Sequence, residues 1–374
     1  MTNMWRLLLA ALWCALFSGC ATSDGDAGRP GLSAADTRAL IVRLLPTNLP
    51  DRSGWAADIY AAFATQDIIA TTENVCAVLA ITEQESTFRA DPPVPGLASI
   101  AWQEIDRQAD RVGVPKFAVR AALRLASSNG TSYSERIDAA TTEKQLSEIF
   151  EDFIGRVPLG KTFLASRNPV RTGGPMQVSI AFAEAQAEAS RYPYPVEHSI
   201  RHEVFTRRGG MYFGVAHLLG YEAPYSQPLF RFADFNAGRY ASRNAAFQNA
   251  LSIASGVPLV LDGDLLPPGA KPDTPTGDTE LAAIAFAKRL DMAPAAIRRD
   301  LERGTEAAFE RTRLYERVFT RGDQANGRPV ARAVLPTIDL KSPKIKRKLT
   351  TEWFARRVDE RYQRCTARAS QLSS

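Results

Sequence analysis

Histidine is scarce in this chain: 374 residues hold three, His198, His202 and His217. His198 and His202 stand four apart and can share a helix face. No nearby cysteine or third ligand of proper spacing joins them, so no metal site is read, and no motif calls for a cofactor. Charge of one sign is also modest. A net charge of +5 is too little to argue for nucleic acid as a partner. After the first twenty residues no segment is long and apolar enough to cross a bilayer, and no internal repeat is present. Hydrophobic residues make up 45% of the chain, enough for one large or two moderate domains.

The N-terminus reads as a processing segment. Arg6 supplies a short positive region, Leu7 to Phe17 is continuously apolar, and the run ends in Leu16-Phe17-Ser18-Gly19-Cys20. Small residues before a cysteine, directly after an apolar core, form a lipobox. Residues 1–19 are therefore expected to be a lipoprotein signal peptide, with Cys20 the lipidated residue and 20–32 a polar tether. Ala21, not aspartate, follows the cysteine, which favours a periplasm-facing lipid anchor in the outer membrane. In that oxidising compartment Cys76 and Cys365 are the even pair left in the mature chain, either disulfide-bonded or two separate buried thiols.

Beyond the tether the pattern is mainly α. Ser33 caps an expected helix over Ala34–Leu45, and Trp55–Ala64 and Glu73–Glu85 repeat the apolar spacing. Further helices are expected at Ile100–Val112, Lys116–Leu125, Ser147–Arg156, Val178–Arg191, Phe213–Leu219 and Ser242–Ile253, with one short strand at Pro258–Leu266. Pro- and Gly-rich residues 263–278 read as a linker. The C-terminal part carries a helix pair, Glu280–Leu290 and Ala293–Leu301, then an extended stretch over Val330–Leu340 and a closing helix over Thr350–Gln371. Basic clusters at Arg201–Arg208 and Lys341–Lys348 are solvated faces or contacts to anionic wall or lipid.

Three short signals occur in order: Glu85-Ser86 at the end of an apolar helix, Gly174-Pro175-Met176-Gln177, and Phe235-Asn236-Ala237-Gly238. Together they resemble the "Glu-Ser … Gly-Leu-Met-Gln … Tyr-Asn-Ala-Gly" pattern of lysozyme-like lytic transglycosylases, over about residues 52–255. The resemblance implies a lysozyme-like domain at 33–262 with a helical insertion at about 90–170, and a helical C-terminal extension at 279–374. It also implies peptidoglycan glycan strands as substrate. Glu85 would be the catalytic acid and then base. Ser86 would support it, Met176, Gln177 and Phe235 would line the glycan cleft, and Asn236 would hydrogen-bond near the reacting sugar. Phe235 departs from the family's tyrosine, and the stretch from Glu85 to Gly174 is longer than the family's connection. A catalytically silent fold that binds glycan or an envelope protein partner is the rival reading. Hydrolysis with Asp234 as second carboxylate is a third. Over its whole length the chain also resembles uncharacterised Gram-negative lipoproteins.

Overall fold

The computed structural model describes residues 32–374 except 158, 165–166, 268, 271–276, 341–347 and 374. The signal peptide, Cys20 and most of the tether, much of the linker, and most of the Lys341–Lys348 cluster lie outside the described residues. The chain is mainly helical, and its described sheet is one two-stranded antiparallel pair.

Helix α1, Ala34–Leu44, begins where Ser33 Oγ accepts from the Asp36 amide at 3.1 Å, and it buries Leu40, Ile41 and Leu44. Helix α2, Arg52–Ala64, buries Trp55, Ile59 and Phe63. Helix α3, Thr72–Ser86, is different in kind, because every residue from Val75 to Thr82 is buried. A helix apolar all round has no solvent face to offer, so it must be enclosed. The enclosing partners include α11, Arg207–Leu219, and α18, Thr351–Ser373.

Between them runs the inserted segment. Helices α4 (Leu97–Arg111), α5 (Lys116–Ala122), α6 (Tyr133–Ala139) and α7 (Glu143–Arg156) gather around a small separate core of Leu123, Tyr133, Ile137, Ala140 and Ile149, and α8 (Gly160–Leu164) follows. Capping boxes start α6 at Ser132 and α7 at Thr142. The chain then forms β1, Thr172–Gly173, paired with β2, Val178–Ser179. Helix α9, Ile180–Ala189, follows at once, with Ser179 as its cap. The helix expected from Val178 thus starts two residues later, because Val178 and Ser179 close the hairpin first. Helices α10 (Ile200–Val204), α11, α12 (Pro228–Ala237) and α13 (Ala241–Ser255) complete this half.

Helix α13 belongs to a second core. It packs with α14 (Asp278–Ala285), α15 (Ala287–Leu290), α16 (Pro294–Leu301) and α17 (Arg313–Asn326) around Phe247, Ile297, Phe309, Leu314 and Phe319. Arg243 is fully buried at the joint. Its guanidinium donates to the Gly304 and Glu306 carbonyls at 2.6 and 2.8 Å and lies over the Tyr240 ring at 4.2 Å. The strand expected at Pro258–Leu266 does not form. That segment borrows a single backbone bond, from the Thr337 amide to the Leu261 carbonyl at 2.7 Å, and buries Leu265 in the second core instead. Val330–Leu340 runs without helix, and Asp339 forms an isolated bridge to Thr350.

Helix α18 then returns to the first core, burying Phe354, Val358, Tyr362 and Cys365. Cys76 and Cys365 are disulfide-bonded, with Cα atoms 5.5 Å apart and a sequence separation of 289. A loop of that length corresponds to an upper figure of about 6 kcal/mol in the chain-entropy account. Reduction, or the double change Cys76→Ala with Cys365→Ala, is expected to lower the melting temperature markedly. Thermal unfolding with and without reductant checks this, and equal midpoints would contradict it.

Candidate functional site

Glu85 occupies the penultimate position of α3 and is half-buried. Its helix delivers it from a fully enclosed core, with Val78, Leu79 and Ile81 buried one or two turns before it and Phe88 buried just after. Ser86 is buried beside it; its hydroxyl donates to the Thr82 carbonyl at 3.1 Å and accepts from the Arg89 amide at 3.2 Å. Ser86 therefore shapes the turn that follows Glu85. Two consecutive non-glycine residues come next in left-handed conformation, Thr87 at φ 51° and Phe88 at φ 59°. Such conformations cost on the order of 1–3 kcal/mol each and persist only where the surroundings impose them. The imposition is visible: Phe88 packs edge-on against Trp55 at 5.7 Å.

Glu83 takes a different direction. Its carboxylate faces Arg361 at 3.4 Å and Arg364 at 3.7 Å, both on α18. Neighbouring glutamates thus serve different ends, as their helical spacing requires.

The second signal sits in the β1–β2 hairpin. Met176 is completely buried, and Gln177 is half-buried at φ 50°, its own amide bonded to the Gly174 carbonyl at 3.1 Å. What seats this turn is a smooth stripe on α11. A Cβ on Gly210 would meet Pro175 Cδ at 2.3 Å, and one on Gly214 would meet Met176 Sδ at 2.2 Å. Met176 therefore fills the core and does not itself line an open cleft. The third signal ends α12. Phe235 is 9% exposed, and Asn236 is exposed, with its side-chain carbonyl accepting from the Thr351 hydroxyl at 2.9 Å. This motif is the last helical turn before Gly238 at φ 112°. Helix α11 packs against α3, β2 and α12, so one helix carries all three signals.

Asp234 does not fit the role of a second carboxylate. It is fully buried and accepts from the Tyr221 hydroxyl at 3.0 Å, the Tyr240 amide at 2.9 Å, the Ser242 amide at 2.7 Å and the Tyr225 hydroxyl. Burial pushes its carboxyl above the usual range, and these donors oppose that shift. It ties α12 to the start of α13. The arginines of the 201–208 cluster are similarly engaged. Arg201 bonds the Val170 carbonyl at 2.9 Å, Arg207 pairs with Asp51 at 2.7 Å, and Arg208 pairs with Glu203 at 3.0 Å. That cluster holds elements together and is not a free basic face.

One residue beside the third signal escaped the sequence reading. His217, on α11, has its ring between Phe182 at 4.7 Å and Phe235 at 4.9 Å. Its Nε2 donates to the Phe235 carbonyl at 3.1 Å, which leaves Nδ1 as an acceptor, buried and without a hydrogen-bond partner. Burial lowers its pKa to about 4, so the ring is neutral at physiological pH. Only the rarity of histidine could have drawn attention to it. The His198 and His202 rings lie 4.9 Å apart, tilted, and His202 faces Glu148, but among the described residues no three His, Cys, Asp or Glu side chains gather as a metal site.

A groove of about 610 Å³ opens elsewhere, lined by Asp262, Thr337, Ile338, Asp339, Lys348, Thr350 and Glu352. None of the three signals contributes to it, so size alone does not mark the site. The chemistry points to the end of α3.

Fold and geometry thus define a mainly helical protein whose first core converges on a glutamate at a helix end. The chain belongs to the family described as "Protein of unknown function (DUF1615)", whose model matches residues 48–368. It is 52% identical over 358 residues, 96% of each chain, to a protein of Escherichia coli (strain K12) named "Uncharacterized protein YaiW". No solved structure matches it.

Two predictions follow from this geometry. Gly210→Ala forces a methyl into the rigid Pro175 ring and within 2.8 Å of the Val204 carbonyl oxygen. Overpacking of this kind costs about 1–3 kcal/mol and outweighs the gain of at most ~1 kcal/mol in helix propensity. Denaturant unfolding should show the loss, and an unchanged midpoint would contradict the seating of the hairpin. The second concerns pH. A histidine at about 4 in the folded chain against 6.5 unfolded binds fewer protons when folded, so its neutral state stabilises the fold above pH 6.5. That contribution, up to about 3 kcal/mol, declines as pH falls from 6.5 towards 4. His217→Gln should flatten the stability profile in this window, and an equal slope in both proteins would contradict it.

Proposed function

We propose that this chain is an outer-membrane lipoprotein that cleaves peptidoglycan glycan strands by lytic transglycosylation in a lysozyme-like domain. The observation that carries the reading is Glu85: a half-buried carboxyl one residue from the end of a helix that is buried from Val75 to Thr82, with two strained residues, Thr87 and Phe88, just beyond that end. Strain of this kind concentrates where a side chain must be held in one place. The left-handed Gln177 of the β1–β2 hairpin and the exposed Asn236 are polar groups of the type that hold a sugar.

In this mechanism the Glu85 carboxyl donates its proton to the glycosidic oxygen as positive charge develops on the adjoining sugar. The bond between the sugar's anomeric carbon and that oxygen breaks. The carboxylate then takes a proton from the same sugar's own hydroxyl, whose oxygen closes an anhydro ring on the anomeric carbon. Glu85 ends protonated as it began, and no water is consumed. The scheme needs no second carboxylate, which agrees with the structural role of Asp234.

A second reading is a silent lysozyme-like fold that binds glycan or an envelope protein. Phe235 favours it, since a phenyl ring against His217 stands where the family has a tyrosine hydroxyl. Purified protein incubated with wall sacculi, with products read by mass, separates the readings. Anhydro-sugar ends are expected. Reducing ends would replace the mechanism with hydrolysis, and sacculi bound but intact would establish the silent fold.

A further inference from the structure

We propose that the tip joining α4 and α5 is a docking surface for an anionic lipid bilayer. Residues 110–117 are exposed without interruption, and three of them are apolar: Val112 at 59%, Val114 at 40% and Phe117 at 78%. None of the three joins a core; the neighbouring small core takes Trp102, Ile105 and Val119 from the same two helices instead. The tip therefore stands beyond the body that supports it. Removing a phenylalanine and two valines from water favours insertion.

The charges around the tip suit a negative surface. Glu104 pairs with Arg107, Asp106 with Arg120 and Asp110 with Lys116, the last two at 2.9 Å. Among the described residues Arg111 and Arg124 have no carboxylate partner, so the hairpin presents two uncompensated cations, one of them adjacent to Val112. Apolar side chains ringed by arginine and lysine are the composition of interfacial segments, in which cations meet headgroup phosphates while the apolar groups sink between them.

Three amides of the turn are already paired, which lessens the usual objection to such insertion. Unpaired amides are costly in a lipid interface. Here the Val112 amide donates to the Gln108 carbonyl at 3.2 Å, Gly113 to Asp110 at 3.3 Å and Val114 to Ala109 at 3.0 Å, and Pro115 has no amide hydrogen. Gly113, at φ +69°, makes the reversal possible. A second copy of the chain is the poorer occupant, because it would bring the same cations face to face across a two-fold axis.

Amide exchange over residues 111–119 tests the assignment in the whole chain carrying Cys20→Ala, where no acyl chain can form on residue 20. The apolar segment 7–17 is present in every arm, so the comparison reads the tip alone. Vesicles of phosphatidylcholine and phosphatidylglycerol in equal parts should slow exchange at the tip by at least about threefold, and high salt should weaken the protection. Val114→Asp with Phe117→Asp, both at exposed positions, should abolish it while leaving exchange in α3 unchanged. Unchanged exchange with these vesicles would overturn the proposal. So would equal protection by phosphatidylcholine alone, or protection that needs no vesicles and rises with protein concentration, which would assign a second copy. None of these outcomes depends on whether glycan is cleaved.

Discussion

The structure depends on the complete enclosure of α3. Eight consecutive buried residues, Val75 to Thr82, leave this helix no face towards water, so its neighbours have to supply walls on every side. Helix α11 supplies one, close enough for Thr82 to lie 3.9 Å from the Met211 sulfur. Helix α18 supplies another from the far end of the chain, fastened by the Cys76–Cys365 bond and by Arg361 and Arg364 against Glu83. A helix held in this way cannot turn about its axis without breaking several contacts together. Glu85, one residue from its end, inherits that fixed direction.

The same enclosure ties the candidate site to the C-terminal part. Thr351, in the first turn of α18, bonds Asn236 of the third signal, while Cys365 near the other end of that helix bonds the core of α3. One helix therefore touches both the element bearing Glu85 and the residue expected to face the sugar. Helix α13 makes a comparable link, with its start gathered around Asp234 and its body packed into the second core. The stretch Val330–Leu340 contributes to both cores, and α18 is part of the frame around α3.

Much of this was legible in the sequence where a single period governs. The helices of the first core follow the spacing of their apolar residues, and Ser33 and the Cys76–Cys365 pair are where local chemistry puts them. Boundaries failed where tertiary contacts decide. Val178 and Ser179 join a hairpin because Thr172 and Gly173 lie opposite them, and Leu265 packs on helices although its neighbours read as a strand. Helix α17 shows an apolar rhythm in Leu314, Tyr315, Val318 and Phe319 that the reading passed over. Glu85 was expected at a helix end, and it stands one residue from the end of α3. The burial of Asp234 and of His217 Nδ1 was not expected, since each depends on residues from separate segments that no local pattern connects.

The central claim is that the Glu85 carboxyl transfers the proton when a glycan strand is cut. Turnover of wall sacculi by Glu85→Gln against the unaltered chain tests it most directly, since the amide keeps the size and hydrogen bonding of the side chain but cannot move a proton. A loss of at least about 100-fold, with folding and sacculus binding retained, is the predicted result. Glu83→Gln, which weakens only the partly exposed contacts to Arg361 and Arg364, should retain turnover. Cleavage by Glu85→Gln at the rate of the unaltered chain would contradict the account.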